Sequence, residues 1–300
     1  MDMEDERDET LSNAESRSAT LIVAFQGWSD AGDAASLALD HLRKQTRAHR
    51  VATIDPDEYF DFTVVRPAIQ VDRTGVRKLS WPDTRFYLAP QTDSKRDLLF
   101  CVGIEPQLRW KHFSRNVIRI AADYGVDKVI TLGALASEVP HTRPTRVVGT
   151  TSDASLGKHL QMEPSRYEGP TGILGVLQSA FQTRHIPSIS LWANVPHYVA
   201  QTPSPKAALA LVQRTSALLE RSIDVASLER ASREYVNQID ELIANDDEIL
   251  SYVSQLESES FETELDEDFP ESNEPLEFAS GDELAVEAER FLRAQDTDES

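Results

Sequence analysis

The chain has 300 residues, 40% of them apolar and 27% charged, enough to bury a core as one large domain or two small ones. Its net charge of −21 sits in the ends: residues 1–17 hold seven acids and two bases, and residues 257–300 hold 17 acids and two arginines. The body between carries 27 acids and 26 bases, which excludes the cationic surplus that nucleic acid or an anionic lipid surface demands.

Residues 1–17 read as a solvated, disordered acidic arm. Leu21–Phe25 is then an apolar run, followed by Gln26-Gly27-Trp28-Ser29-Asp30-Ala31-Gly32-Asp33 and an Ala/Leu-rich stretch to about Arg43. That order is strand, tight turn, helix. Ser29 or Asp30 is placed to cap the helix, and Asp33 falls in its first turn. Val51–Ile54, Thr63–Val65 and Arg85–Ala89 are strand candidates, separated by the turn signals Arg66-Pro67 and Trp81-Pro82. Leu98–Val102 has the continuous apolar character of a buried strand. Gln107–Tyr124 has helical spacing, and Lys128–Leu132 and Val147–Thr151 are strands. Gly172–Arg184 is helical and Ile189–Trp192 is a strand. This alternation predicts an α/β domain over residues 18–204, a three-layer α/β/α sandwich with a mostly parallel sheet.

From Pro205 the pattern is helical. Leu228, Tyr235, Leu242, Ile249 and Leu256 recur every seven positions, a seam for a hairpin packed on the body or for contact between copies. Residues 205–256 therefore form a helical extension, with a break expected near residue 245. After Glu257 the chain is acidic and sparse, and residues 258–279 are expected to be disordered. Ser280-Gly281-Asp282-Glu283 is a capping box. It opens a short helix to Arg293 whose face of Leu284, Ala288, Phe291 and Leu292 suits a groove.

Chemistry-bearing residues cluster after strand ends. The Gly27–Asp33 turn resembles an anion cradle, although it is neither a Walker A nor a Rossmann fingerprint, and Asp30 and Asp33 would repel a phosphate. Val-Pro-His occurs twice, ending in His141 and in His197, each just past a strand. Arg143 follows the first. Tyr167-Glu168-Gly169-Pro170 precedes a helix, and Glu168 is placed either to serve as a base or to pair with Arg143. In open α/β sheets the crevice at the carboxyl ends of the strands is the usual ligand site. Gly27, Trp28, Asp30, Asp33, His141, Arg143, Glu168, Gly169 and His197 are thus the candidate ligand-binding or loop-locking residues. Two histidines without a carboxylate ligand make a poor metal site, and no G-x-S-x-G elbow is present. Neither a metal nor a cofactor is expected. The acidic, polar stretch Met1–Thr20 is unlike a secretory leader, no apolar run approaches the ~20 residues of a membrane span, and the lone Cys101 rules out an intramolecular disulfide framework. A cytoplasmic location follows.

Several motifs in order, GWSDAGDAA (27–35), TLGALASEVPHTRP (131–144), EPSRYEGPTGILGVL (163–177) and SLWANVPHYVAQTPSPKA (190–207), resemble the proteasome assembly chaperone two family in its actinobacterial branch. The resemblance covers residues 20–256 and the late helix around residues 280–292. It implies an α/β/α sandwich similar to nucleoside phosphorylases and hydrolases, and a non-catalytic role in assembly with proteasome components as possible partners. Relatives that dock on the proteasome end in a hydrophobic residue, Tyr and any residue, whereas this chain ends Asp298-Glu299-Ser300. Two functions are therefore weighed: a homo-oligomeric protein-interaction factor, with Leu228, Tyr235, Leu242, Ile249, Leu256, Leu284, Phe291 and Leu292 as contact residues, and a small-molecule-binding protein or enzyme using the phosphorylase-like crevice.

Overall fold

The computed structural model describes residues 18–90, 96–151, 153–160, 162, 164–165, 167–244 and 246–266. Strand β1 (Ser18–Gln26) leads through a 3₁₀ turn (Ala31–Asp33) into α1 (Ala34–Gln45) and β2 (His49–Ile54). A hairpin of β3 (Ala68–Val71) and β4 (Arg77–Ser80) precedes β5 (Thr84–Ala89), β6 (Arg96–Ile104), α2 (Trp110–Asp123) and β7 (Val126–Ser137). Then come β8 (Val147–Thr151), α3 (Ala154–Leu160), α4 (Ile173–Gln182), β9 (Ser188–Pro196) and a second 3₁₀ turn (His197–Val199). Helices α5 (Pro205–Leu218), α6 (Ala226–Ile243) and α7 (Asp247–Asp266) follow.

Seven strands form one sheet in the order β2-β5-β6-β1-β7-β9-β8. Strands β6, β1, β7 and β9 are parallel, while β5 runs against β6, β2 against β5 and β8 against β9. The expectation of a mostly parallel sheet is corrected accordingly: the sheet is mixed. The chain returns antiparallel from β2 to β5 and from β5 to β6, and antiparallel neighbours need no helical crossover.

Strand β1 is buried on both faces, which explains its unbroken apolar run. Ile22 and Ala24 face α1 and α5, whereas Leu21, Val23 and Phe25 face α2 and α4. Helix α2 shows the matching stripe, with Phe113, Val117 and Ile120 inward and Lys111, Arg115 and Arg119 outward. Helix α5 belongs to the sandwich layer, since Ala207, Ala208, Leu211 and Val212 are core residues. Cys101 on β6 is a buried free thiol, and burial pushes its pKa up. Among the described residues no helix is long and apolar enough to cross a membrane.

Two local expectations change and one is met. Thr63–Val65 is a turn, because Asp61 draws it in: Oδ1 accepts from Thr63 N–H at 2.8 Å and the carbonyl accepts from Val64 N–H at 2.9 Å. The strand pair lies further on, in β3 and β4. The break near residue 245 is made by Asp246, whose Oδ1 accepts from the N–H groups of Glu248 and Ile249 at 3.2 and 3.1 Å. Asp246 thus acts as a helix cap. Helix α7 then continues to Asp266, past the boundary expected at residue 256. Residues 1–17 and the terminal helix with Leu284, Phe291 and Leu292 lie outside the described residues.

Candidate functional site

Because β6, β1, β7 and β9 are parallel, their carboxyl ends share one rim. The turn after β1 begins at Gly27, whose φ of +127° is a conformation that L side chains rarely adopt. Asp30 N–H donates to the Gly27 carbonyl at 3.1 Å and closes the turn. Asp30 then caps α1 as expected, its Oδ1 accepting from Ala35 N–H at 2.7 Å and Ser36 N–H at 3.2 Å. Its Oδ2 and the neighbouring Ser29 Oγ are buried with no protein partner. Burial raises the Asp30 pKa, against the lowering effect of the bonds from Ser36 and Ala35. Asp33 is exposed and left-handed at φ 49°.

Glu105, just past β6, was missed from sequence. Its N–H donates to the Gln26 carbonyl at 2.8 Å, and its Oε1 accepts from Ile173 N–H at 2.8 Å at the start of α4. The carboxylate thus satisfies an orphan donor and complements the helix dipole. The only signal in the sequence was an acid between a strand end and Pro106. Gly172, the N-cap of α4, lies against Glu105, Ser29 and the ring of Trp28. Trp28 itself is 60% exposed.

The turn is sewn to its neighbours through the backbone. Ala134 N–H donates to Ser29 O at 2.9 Å, Gly32 N–H to Ala200 O at 2.8 Å and Ser204 N–H to Gly32 O at 2.7 Å. These bonds join the first loop to β7 and to the segment entering α5.

The second group gathers around His141, which is 1% exposed. Tyr198 Oη accepts from His141 N–H at 2.8 Å and lies 2.8 Å from the ring Nδ1. The ring Nε2 is 2.9 Å from Asp240 Oδ1 on α6. One assignment satisfies all three bonds: Tyr198 donates to Nδ1, and Nε2–H donates to Asp240. Lys206 Nζ donates to the carbonyls of His141 and, at 2.5 Å, Arg143. Burial lowers the Lys206 pKa and pushes that of Tyr198 up to about 12. His197 is exposed, with ring centroids 5.6 Å from Tyr198 and 5.5 Å from Tyr252 on α7. Thr142 Oγ1 donates to Glu257 Oε1 at 2.5 Å.

Helices α6 and α7 therefore cover the ends of β7 and β9. Their own small core of Tyr235, Ile239, Ile243 and Val253 packs on Tyr198 and Val199. In the heptad seam Tyr235 and Leu256 are buried, Leu228 and Ile249 are half-buried, and Leu242 is 78% exposed. Below them, Trp192 lies across Gly133 of β7, leaving no room there for a side chain. Its Nε1–H donates to Ser190 Oγ at 3.0 Å, and Ser190 Oγ is 2.8 Å from Thr131 Oγ1.

The candidate residues thus stand at one rim in two groups. Arg143 is half-buried beside Lys206, whereas Glu168 and Gly169 are exposed on the approach to α4. No ion pair joins Glu168 to Arg143 among the described residues. Water solvates the exposed carboxylate, so it needs no such partner. No cluster of three potential metal ligands occurs among the described residues. Chemically, His141 is a saturated hydrogen-bonding hub, with both ring nitrogens engaged and its carbonyl held by the half-buried Lys206 ammonium.

Fold and site together define a helix-flanked mixed-sheet α/β protein whose carboxyl-terminal helices cover the ends of β7 and β9. The chain belongs to the PAC2 family, whose model matches residues 24–243. It is similar to a PAC2 family protein of Streptomyces avermitilis, with 43% identity over 78% of this chain and 99% of that one and a TM-score of 0.73. It is also similar to a Mycobacterium tuberculosis proteasome-assembly chaperone homologue, with 39% identity over 78% and 99% of the two chains and a TM-score of 0.70. An archaeal proteasome activator from Pyrococcus furiosus shares the fold, at 17% identity over 75% and 93% of the chains and a TM-score of 0.62. The chain matches no curated protein.

Proposed function

We propose that this protein is a non-catalytic, cytoplasmic protein-interaction factor acting in assembly, with proteasome components as candidate partners. The observation that carries this reading is the engagement of His141 beneath α6 and α7. A general base needs a free lone pair within reach of substrate. Here Nδ1 is taken by Tyr198, Nε2 by Asp240, and the ring is buried. The family adds support, since one relative is described as a proteasome-assembly chaperone homologue.

The phosphorylase-like reading keeps one supporting feature, the unpartnered Asp30 Oδ2 and Ser29 Oγ beside the turn after β1. A thermal-shift screen of the full chain against nucleosides, nucleotides and inorganic phosphate separates the two. A ligand at 100 times its Kd adds about 2.7 kcal/mol of stability, so binding would be plain. The assembly reading expects no stabilisation by any of these compounds, together with capture of purified proteasome α-type subunits by the immobilised chain. A reproducible shift with one ligand class, abolished by Asp30→Ala, would replace it.

A further inference from the structure

Helix α2 carries its charges against its dipole. Arg109 stands at the N-cap without capping through its side chain, Lys111 lies in the first turn, and no basic residue falls in the last turn. A helix favours anions at its first turn and cations at its last. Lys111, Arg115 and Arg119 are exposed and spaced four apart, so they form one stripe on the solvent side, and like charges at that spacing repel. Residues 106–122 hold these three, Arg109 and no acid. Glu58 pairs with Arg109 at 2.8 Å and lies 3.2 Å from His112 Nδ1. Among the described residues Lys111, Arg115 and Arg119 enter no ion pair. A cleft of about 630 Å³ opens at the same end of the helix, lined by Glu58, Arg109, Trp110, Lys111, His112 and Arg115. Beside it Leu108 is 47% exposed and Trp110 half-buried. The face is thus cationic, dotted with apolar groups and short of counter-charge. Another basic stretch, residues 66–78, is in part neutralised from within by the ion pair of Lys78 with Asp72 at 3.2 Å.

The sequence after α7 supplies the complement. Residues 267–289 lie outside the described residues; they hold nine acids and no base, with Phe269, Leu276, Phe278 and Leu284 among them. Reach does not limit them. A folded body of this size is about 45 Å across, and an extended chain advances about 3.3 Å per residue, so the segment spans up to about 75 Å. Tethering gives it an effective concentration on the order of millimolar at the body, so a contact too weak to hold a separate peptide holds this one.

We propose that residues 267–289 turn back on their own chain and lie along the outer face of α2, carboxylates against Lys111, Arg115 and Arg119 and apolar side chains against Leu108 and Trp110. The carboxylates remove the repulsion along the stripe and complement the dipole at the N-terminal end of the helix. Opposite charge selects this face, and the apolar groups add buried area. With the tail in place, the α2 face is shut to any acidic segment of another protein that cannot outcompete it. This inference stands apart from the choice of client protein.

Zero-length carbodiimide cross-linking of the full chain, read by mass spectrometry, tests it. The reagent joins a carboxylate to an amine only where the two touch, so Lys111 is the reporter. At low ionic strength Lys111 is expected to link to acids of residues 267–289. In an equal mixture of ¹⁵N-labelled and unlabelled chains, the linked pairs are expected to carry one isotope. The link is expected to vanish in 1 M salt, where the Debye length is about 3 Å. Arg115→Glu with Arg119→Glu leaves the reporter in place and is expected to abolish the link. Adding Glu274→Lys and Glu277→Lys to that variant is expected to restore it through the remaining tail acids. If the glutamate variant proves unfolded by circular dichroism, Arg115→Gln with Arg119→Gln takes its place, with the same loss expected. No link from Lys111 to the tail in the wild-type chain, a link that survives loss of the two arginines, or linked pairs of mixed isotope would overturn the proposal. The ligand screen and the capture of α-type subunits do not depend on these results, so the two readings fail separately.

Discussion

The two ends of the strand-end rim are built on opposite plans. Over β7 and β9 the polar groups are paired around the buried His141, with half-buried Tyr198 and Lys206 and the exposed Asp240 joining the loop before β8 to α5 and α6. Beyond β2 and β5 the apolar groups are exposed and the polar ones solvated, as in Asp72, whose pKa is held down to about 2 by the hydroxyl and N–H groups of its own turn and by Lys78. A buried polar network is costly when incomplete, so the first end contributes to folding. An exposed apolar face contributes little to folding, so the second is available for contact. A paired polar cluster at one end of the sheet is thus set against an exposed apolar face at the other.

Mutations break this division unequally. The largest effect is expected at Gly133, where a Cβ would collide with the Trp192 ring. Gly133→Val should destabilise the fold by about 3 kcal/mol through overpacking, measured by urea unfolding. Next is the hub itself. His141→Ala takes the ring acceptor from the Tyr198 hydroxyl and leaves a cavity in a buried site, for a loss of about 2 kcal/mol. Asp240→Ala should cost less, since that carboxylate is half exposed and water can take its place on the histidine ring. A loss as large for Asp240 as for His141 would show that the helices, rather than the loop, depend on this contact.

At the turn after β1, Asp30→Ala should cost about 1–2 kcal/mol by uncapping α1, while Asp30→Asn keeps the accepting oxygen. Asp30 has a raised pKa in the folded chain, with burial as the largest cause. Its contribution is fully present below the ordinary carboxylate value of 3.8 and declines as pH rises through the folded value. Wild type should therefore lose stability relative to Asp30→Asn as pH rises above 3.8, read from unfolding midpoints at each pH. At the open end the expectation is smallest: Val71→Ser should change stability by no more than about 0.5 kcal/mol. A loss well above that would mean that the hairpin is held by the body and is not a free contact surface.

The sequence made the parallel centre of the sheet readable because a strand buried on both faces must be apolar throughout, as Leu21–Phe25 and Leu98–Val102 are. The two Val-Pro-His tripeptides fall at the carboxyl ends of β7 and β9. What the sequence did not reveal was the partner of His141: Asp240 lies 99 residues away, and a single acid on a helix carries no mark of what it will meet. Glu105 was hidden for the same reason. The hairpin escaped because its alternation of apolar and polar residues is short, and the Asp61 turn before it resembled a strand. The heptad seam was real as a spacing, but the cap at Asp246 divides it between two helices, so its members face different surroundings.

The lone cysteine has a practical consequence. Cys101 is sealed in the core on β6, with its thiol pushed away from ionisation, and reactivity belongs to the exposed thiolate. The native chain should therefore be nearly silent toward maleimides. A cysteine introduced at Val71 or Leu242, both exposed, would be the one addressable handle. A fluorophore or spin label could then be set on either end of the rim without first stripping the protein of its own thiols.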